Sequence, residues 1–347
     1  MKRPVSDSPK TCVLHAGAHK TGSTAIQWAL QGYDDGETVY ADLDHANHSV
    51  PLRQAFSESG YDPKWGQFSD ADTAAQRRQQ VEAALSLDRA RVMFSAEGML
   101  RFSTSEGRAF RDLITRFCDR VQVVLFVREP VAWTASLAQQ RIKRGGLTNL
   151  QVVTGTLRNT VVMLMDAFGP EAVTIWRYED KDLFGGDITR LFAQRLGLDE
   201  TRLNPTGMDV NASFPEGVVQ MLYQLSRVSP IFEAMRDDPP LGPLLFRTCH
   251  ALVEDHVPLD PEPFAHCVDL EDTAFVNDLI DIPYDLPSPS ALPVEDYLMT
   301  RTPKRLSNLN ALLVSEGVIA RPLTDHDDAL AALFRWALDT RKRASRM

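Results

Sequence analysis

The stretch His15-Ala16-Gly17-Ala18-His19-Lys20-Thr21-Gly22-Ser23-Thr24-Ala25-Ile26-Gln27 constrains this chain more than any other, because it joins a short apolar strand, Cys12 to Leu14, directly to an amphipathic helix. A helix that starts in a glycine-bearing turn presents its unpaired backbone N–H groups and the positive end of its dipole to whatever sits in the turn. Lys20 adds a full positive charge, and Ser23 and Thr24 add hydroxyl donors. These are the parts of a phosphate site. Gly17 and Gly22 permit the close backbone approach such a site needs.

In the nucleoside-triphosphate loop, glycine is followed at once by lysine and then by serine or threonine. Here Lys20 precedes Gly22 by two positions, so the loop reads as a relative of that motif with a different ligand. A second element lies about a hundred residues on: the apolar strand Val121 to Val127 ends in Arg128-Glu129-Pro130, and Ser136 follows eight residues after Arg128. Pro130 ends the strand and suits the start of a helix, on which Ser136 falls about two turns in.

Together the two elements resemble the signature of sulfotransferases that use 3′-phosphoadenosine 5′-phosphosulfate (PAPS), particularly the bacterial members related to carbohydrate sulfotransferases. The resemblance implies that Gly17, His19, Lys20, Thr21, Gly22, Ser23 and Thr24 hold the 5′-phosphosulfate and that Arg128 and Ser136 hold the 3′-phosphate. Lys20 would reach the oxygen bridging phosphate and sulfate. There it would stabilise charge on the leaving phosphate, since sulfuryl transfer, like phosphoryl transfer, rests on positioning and electrostatics. The resemblance further implies an acceptor hydroxyl or amine, on a small molecule or a carbohydrate, with adenosine 3′,5′-bisphosphate (PAP) as product and no metal required. A poor nucleophile of this kind calls for a general base. Glu97, in Phe94-Ser95-Ala96-Glu97, stands just past a predicted strand end, and His48, in Asn47-His48-Ser49, has basicity suited to neutral pH. Both segments are similar to elements in related bacterial sequences.

The chain has 347 residues, 44% of them apolar, which is ample for one large α/β domain with additions or two smaller domains. A net charge of −10 argues against broad binding to nucleic acid or anionic membrane, so cations for an anionic ligand are expected to be local. Residues 1 to 11 lack an apolar signal core, and no segment approaches the length of a membrane span. A cytoplasmic location is expected. Cys12, Cys118, Cys249 and Cys267 show no Cys-x-x-Cys spacing and are expected to be reduced thiols. His45 and His48 have spacing that would serve a metal, yet no further ligand cluster accompanies them.

From residue 11 to about 197, short β-rich runs alternate with helical periodicity, the pattern of a parallel sheet covered by helices. Strands are predicted at Cys12 to His15, Thr38 to Ala41, Arg91 to Ser95, Val121 to Val127 and Ala172 to Arg177. Core stripes mark the helices between them: Ile26, Ala29, Leu30; Phe110, Leu113, Ile114, Phe117; Leu157, Val161, Leu164, Met165, Phe168; Ile188, Leu191, Phe192, Leu196. From Pro215 the stripes are helical, broken by proline-bearing stretches at Asp237 to Pro243, Val257 to Pro263 and Ile282 to Pro293. The expected architecture is an α/β, three-layer fold like that of the P-loop nucleoside triphosphatases, with a core over residues 1–210 and a mainly helical cap over 211–347.

Lesser candidates are Trp133 as an adenine stack, Arg177 in Trp176-Arg177-Tyr178-Glu179-Asp180 as a balancing charge, and Asn211-Ala212-Ser213 lining the nucleotide; Tyr178 and Glu179 read as structural. Arg341-Lys342-Arg343 is a solvated helix end opposing the negative dipole pole. Two other functions fit parts of the pattern. A small-molecule kinase would use ATP and Mg²⁺, against which the displaced lysine counts, and a catalytically silent nucleotide-binding protein would keep Arg128 and Ser136 without a working base.

Overall fold

The computed structural model describes residues 9–62, 66–67, 69–146, 157–205, 214–253, 256–288 and 290–345. Strands and helices are numbered in chain order. The strands are β1 (Thr11–His15), β2 (Thr38–Tyr40), β3 (Tyr61–Asp62), β4 (Gly66–Gln67), β5 (Arg91–Ser95), β6 (Arg120–Val127) and β7 (Val173–Arg177). Two compact units divide the chain, and both are discontinuous in sequence. The first comprises Met1–Glu129, Thr156–Asn211 and Glu271–Tyr284; the second comprises Pro130–Gly155, Ala212–Leu270 and Asp285–Met347.

In the first unit β2, β5, β1, β6 and β7 lie side by side in that order, all parallel. These are the five strands predicted from the sequence, and the fold is α/β. A parallel sheet is covered on both faces, so its strands are apolar on both sides. Cys12, Leu14, Val92, Phe94, Val123 and Leu125 enter one core, while Val13, Met93, Val124 and Phe126 enter the other. The first core is closed by α2 (Ser49–Phe56), α3 (Ala71–Ser86), α4 (Thr104–Ile114), α6 (Leu157–Phe168) and α11 (Leu270–Asn277). The second is closed by α1 (Ser23–Leu30) and α7 (Ile188–Leu196). Helices thus sandwich the sheet in three layers. The antiparallel pair β3–β4 stands apart.

Local chemistry sets the helix ends. Ser103 and Glu106 form a capping box at α4, Asp187 accepts the Thr189 and Arg190 N–H groups at α7, and Gly197 ends α7 in the left-handed conformation. Asp272, from the segment that rejoins this unit late in the chain, accepts the backbone N–H groups of Leu157 (2.9 Å) and Arg158 (3.1 Å) at the start of α6. The same segment carries Val276, Ile280 and Tyr284 into the core.

The second unit is mostly helical. It contains α5 (Pro130–Lys143), α8 (Glu216–Val228), α9 (Ile231–Asp237), α10 (Leu241–Leu252), α12 (Val294–Leu298), α13 (Pro303–Ser315) and α14 (His326–Ala344). Its core gathers Ala138 and Ile142 of α5, Val218, Leu222 and Leu225 of α8, Leu245 of α10, Leu309 and Leu313 of α13, and Leu330, Leu333 and Ala337 of α14. Among the described residues no helix is long and apolar enough to cross a membrane. None of the four cysteines is joined in a disulfide.

Candidate functional site

The carboxyl edge of the sheet carries the loops in which parallel α/β folds place ligands. Directly after β1 the chain runs through residues 16–22 into α1. The Ala16 N–H bonds the Val124 carbonyl at 2.9 Å, fixing the loop's exit from the sheet. Gly17 then threads a space that no side chain fits: a Cβ there would lie 2.8 Å from Ser23 Cβ and 3.2 Å from Glu97 Cγ. Lys20 and Gly22 both adopt positive φ, +65° and +77°. For a lysine that conformation is uncommon and costs about 1–2 kcal/mol. A Cβ on Gly22 would also meet Ile188 Cγ2 at 2.8 Å, so glycine is required there on two counts.

The hydroxyls in this loop divide. Thr21 Oγ1 donates to the Ala18 carbonyl at 2.7 Å and Ser23 Oγ to the same carbonyl at 3.1 Å, so both fold the loop. Thr24 is exposed. The first turn of α1 has no side-chain cap, which leaves its leading N–H groups and the helix's positive pole facing the loop.

Arg128, at the end of β6, reaches this loop. Its Nη1 donates to the Lys20 carbonyl at 3.2 Å, and its guanidinium lies over the Tyr178 ring, 5.2 Å from the centroid. An arginine held on an aromatic face keeps its planar donor fork in one orientation. Glu97 opens the short turn Glu97–Arg101 that follows β5. Its Oε2 lies 3.4 Å from His19 Nδ1, with the carboxylate side chain 25% exposed and the imidazole 49% exposed. Ser49 Oγ holds this turn from behind by accepting the Gly98 N–H at 2.8 Å. Lys20, Arg128, Glu97 and His19 therefore converge on one loop.

His48 does not join them. It is fully buried, stacked on Tyr40 with ring centroids 4.5 Å apart, and its Nδ1 accepts the Ser95 N–H at 3.3 Å. Burial lowers its pKa to about 4, an effect the Ala41 carbonyl offsets only in part. A ring sealed from solvent and held neutral has no route to an acceptor hydroxyl, so the expectation of His48 as base is set aside. His15 behaves alike: buried at the end of β1, it pairs Nδ1 with Ser95 Oγ at 2.8 Å, and burial lowers its pKa to about 3. Ser95 thus links two neutral histidines beneath the loop.

The remaining expectations distribute as follows. Ser136 and Trp133 lie on α5, in the second unit. Trp133 packs against that unit's core. Arg177 stacks over the Tyr284 ring at 4.8 Å. Glu179 accepts the Glu129 N–H at 2.9 Å and the Tyr284 hydroxyl at 2.7 Å, tying the ends of β6 and β7 together as a structural residue. Asn211, Ala212 and Ser213 lie outside the described residues. Among the described residues no cluster of three or more His, Cys, Asp or Glu side chains is placed to hold a metal. Residues at the site that the sequence reading did not single out are Ser49 and Tyr284. Each acts through a partner distant in sequence, Gly98 and Glu179, and local pattern carries no signal of either pairing.

No family model matches this chain, and no curated protein matches it in sequence. Among solved structures it is similar to a sulfotransferase from Alicyclobacillus acidocaldarius, at 14% identity over 65% of this chain and 95% of that one, with a TM-score of 0.38. It is also similar to the sulfotransferase domain from the curacin biosynthetic pathway, at 15% identity over 88% of this chain and 97% of that domain, with a TM-score of 0.32. Likeness this distant assigns no residue a role, and the roles below rest on the geometry of the loop.

Proposed function

We propose that this protein is a sulfotransferase that moves a sulfuryl group from PAPS to an acceptor hydroxyl or amine. One observation carries the reading: the Arg128 guanidinium, about a hundred residues along the chain, reaches the backbone carbonyl of Lys20 in a glycine-bearing loop that feeds the uncapped start of α1. Two cations and a helix N-terminus suit a ligand with more than one anionic group. The donor, when bound, supplies an activated sulfate on a nucleotide phosphate.

The chain's own residues then have distinct tasks. Backbone N–H groups at the start of α1 receive the phosphosulfate oxygens, with Gly17 and Gly22 allowing the approach. Lys20 places its charge where the leaving oxygen becomes negative, a contact stronger in the transition state than before it. Arg128 offers its donor fork to the nucleotide's 3′-phosphate. The expectation that Ser136 shares that phosphate rests on its spacing from Arg128 alone. Glu97, across the loop, provides the basic side of the site, and the carbohydrate or small-molecule acceptor meets it there.

Transfer of labelled sulfate from PAPS, screened across hydroxyl and amine acceptors, tests the reading. Wild-type protein should release PAP as label moves to an acceptor. Lys20→Ala should abolish transfer while remaining folded. Label that never leaves PAPS with any acceptor, together with γ-phosphoryl transfer from ATP with Mg²⁺, would replace the reading with a kinase.

A further inference from the structure

Arg128 stands one residue beyond the paired part of its strand. Strand β6 pairs with β1 as far as Val124 and with β7 as far as Val127, opposite Arg177. Two peptide groups flank Arg128 past that register, the Val127 carbonyl before it and the Glu129 N–H after it. In a parallel ladder these two would form the next rung, and without partners they would let the chain end fray.

A pair of side chains supplies that rung. Glu179 accepts the Glu129 N–H at 2.9 Å. The Tyr284 hydroxyl, 2.7 Å from the other Glu179 oxygen and 3.2 Å from the Val127 carbonyl, shares its proton between them. Burial and the neighbouring Glu179 charge push the phenol's pKa up, so it keeps that proton at neutral pH. The donor is itself anchored. Tyr284 is 6% exposed, the Arg177 guanidinium lies over its ring at 4.8 Å, and its backbone N–H and carbonyl both bond the Asn277 side-chain amide, each at 2.8 Å. Asn277 ends α11, so the clamp is built on the segment that rejoins this unit late in the chain.

What the clamp fixes is the direction in which Arg128 leaves the sheet. Side chains alternate across a strand, and Val127 enters the first core together with Tyr284. Arg128 projects to the other face, where its Nη1 reaches the Lys20 carbonyl and its guanidinium covers the Tyr178 ring. Neither of those partners is anionic. A long cationic side chain binds an anion more tightly when its base is held, because less freedom is lost on binding. We infer that Tyr284, acting with Glu179, is a positioning residue for Arg128 and holds it for the nucleotide's 3′-phosphate. The phosphate rests on the sulfotransferase reading; the clamp does not.

The test removes one oxygen. Tyr284→Phe keeps the ring and its place beside Arg177 and deletes only the hydroxyl. In nucleotide-free protein, ¹⁵N relaxation of the arginine Nε–H groups, with Arg128 assigned from the signal lost in Arg128→Ala, should show a lower order parameter for Arg128 in Tyr284→Phe than in wild type. By calorimetry the variant's Kd for PAP should rise roughly 3- to 10-fold, with adenosine 5′-monophosphate within about twofold of wild type. In an Arg128→Ala background the same change should leave PAP affinity within about twofold, since the two residues act as one unit. Glu179→Gln, of the same shape without the charge, replaces Tyr284→Phe if that variant lowers the folded fraction. An Arg128 order parameter that does not change, an equal loss for both nucleotides, or an undiminished loss in the Arg128→Ala background overturns the inference and leaves Tyr284 a core residue. If wild type binds PAP no better than the monophosphate, the 3′-phosphate reading fails, and the order parameter alone decides whether Tyr284 positions Arg128.

Discussion

Two histidine environments in the sheet unit differ in kind. His19 sits on the loop, half open to solvent, with a carboxylate at one ring nitrogen. His48 and His15 are buried, sealed between aromatic rings and linked through Ser95, and burial lowers the pKa of both. The same side chain is open to solvent in one place and part of the core in the other. What separates them is access to water and the sign of the nearest charge, neither of which residue type reveals.

The contrast can be broken most severely from the sealed side. His48→Ala removes a fully buried ring stacked on Tyr40, and should cost about 2–4 kcal/mol of unfolding free energy by chemical denaturation while leaving PAP affinity unchanged. A mild loss of stability with a large loss of transfer would return His48 to the active site. A smaller effect comes from acid. Folded, His15 and His48 titrate near 3 and 4, whereas in the unfolded chain they titrate near about 6.5. The unfolded state therefore binds more protons as pH falls from about 6.5 towards 4, and the stability these rings confer at neutral pH is lost through that window. At pH 5 the proton uptake on unfolding should drop by close to one on changing His48 to Gln. An unchanged uptake would mean that the folded ring is already charged. The smallest effect belongs to the open side, where His19→Ala should alter stability by no more than about 0.5 kcal/mol.

Much of the sheet was legible because a doubly covered parallel strand must be apolar on both faces, and Val121 to Val127 can be little else. The loop was legible for a related reason: Gly17, Lys20 and Gly22 occupy positions with special backbone or steric demands, and glycine spacing records such demands. Helix α3 was not singled out, since only Val81, Ala84 and Leu85 of its sixteen residues turn inward and its polar surface leaves little stripe to read. Nor did periodicity show that residues 271–284 rejoin the sheet unit, because Asp272 and Tyr284 bond partners more than a hundred residues away. His48 misled for a similar cause. Asn47-His48-Ser49 has the composition of a solvent-facing turn, while Tyr40 and Phe94, which enclose the ring, come from two neighbouring strands.

The central claim concerns what the loop and Arg128 hold, and calorimetric binding of PAP, adenosine 5′-monophosphate and ATP with Mg²⁺ to wild type and Arg128→Ala addresses it most directly. The account predicts that PAP binds more tightly than either other nucleotide. It predicts further that Arg128→Ala weakens PAP by about 1.5–3 kcal/mol, roughly a 10- to 150-fold rise in Kd, with the monophosphate nearly unaffected. Equal affinity for PAP and the monophosphate, an equal loss for both in the variant, or a preference for ATP with Mg²⁺ would contradict it.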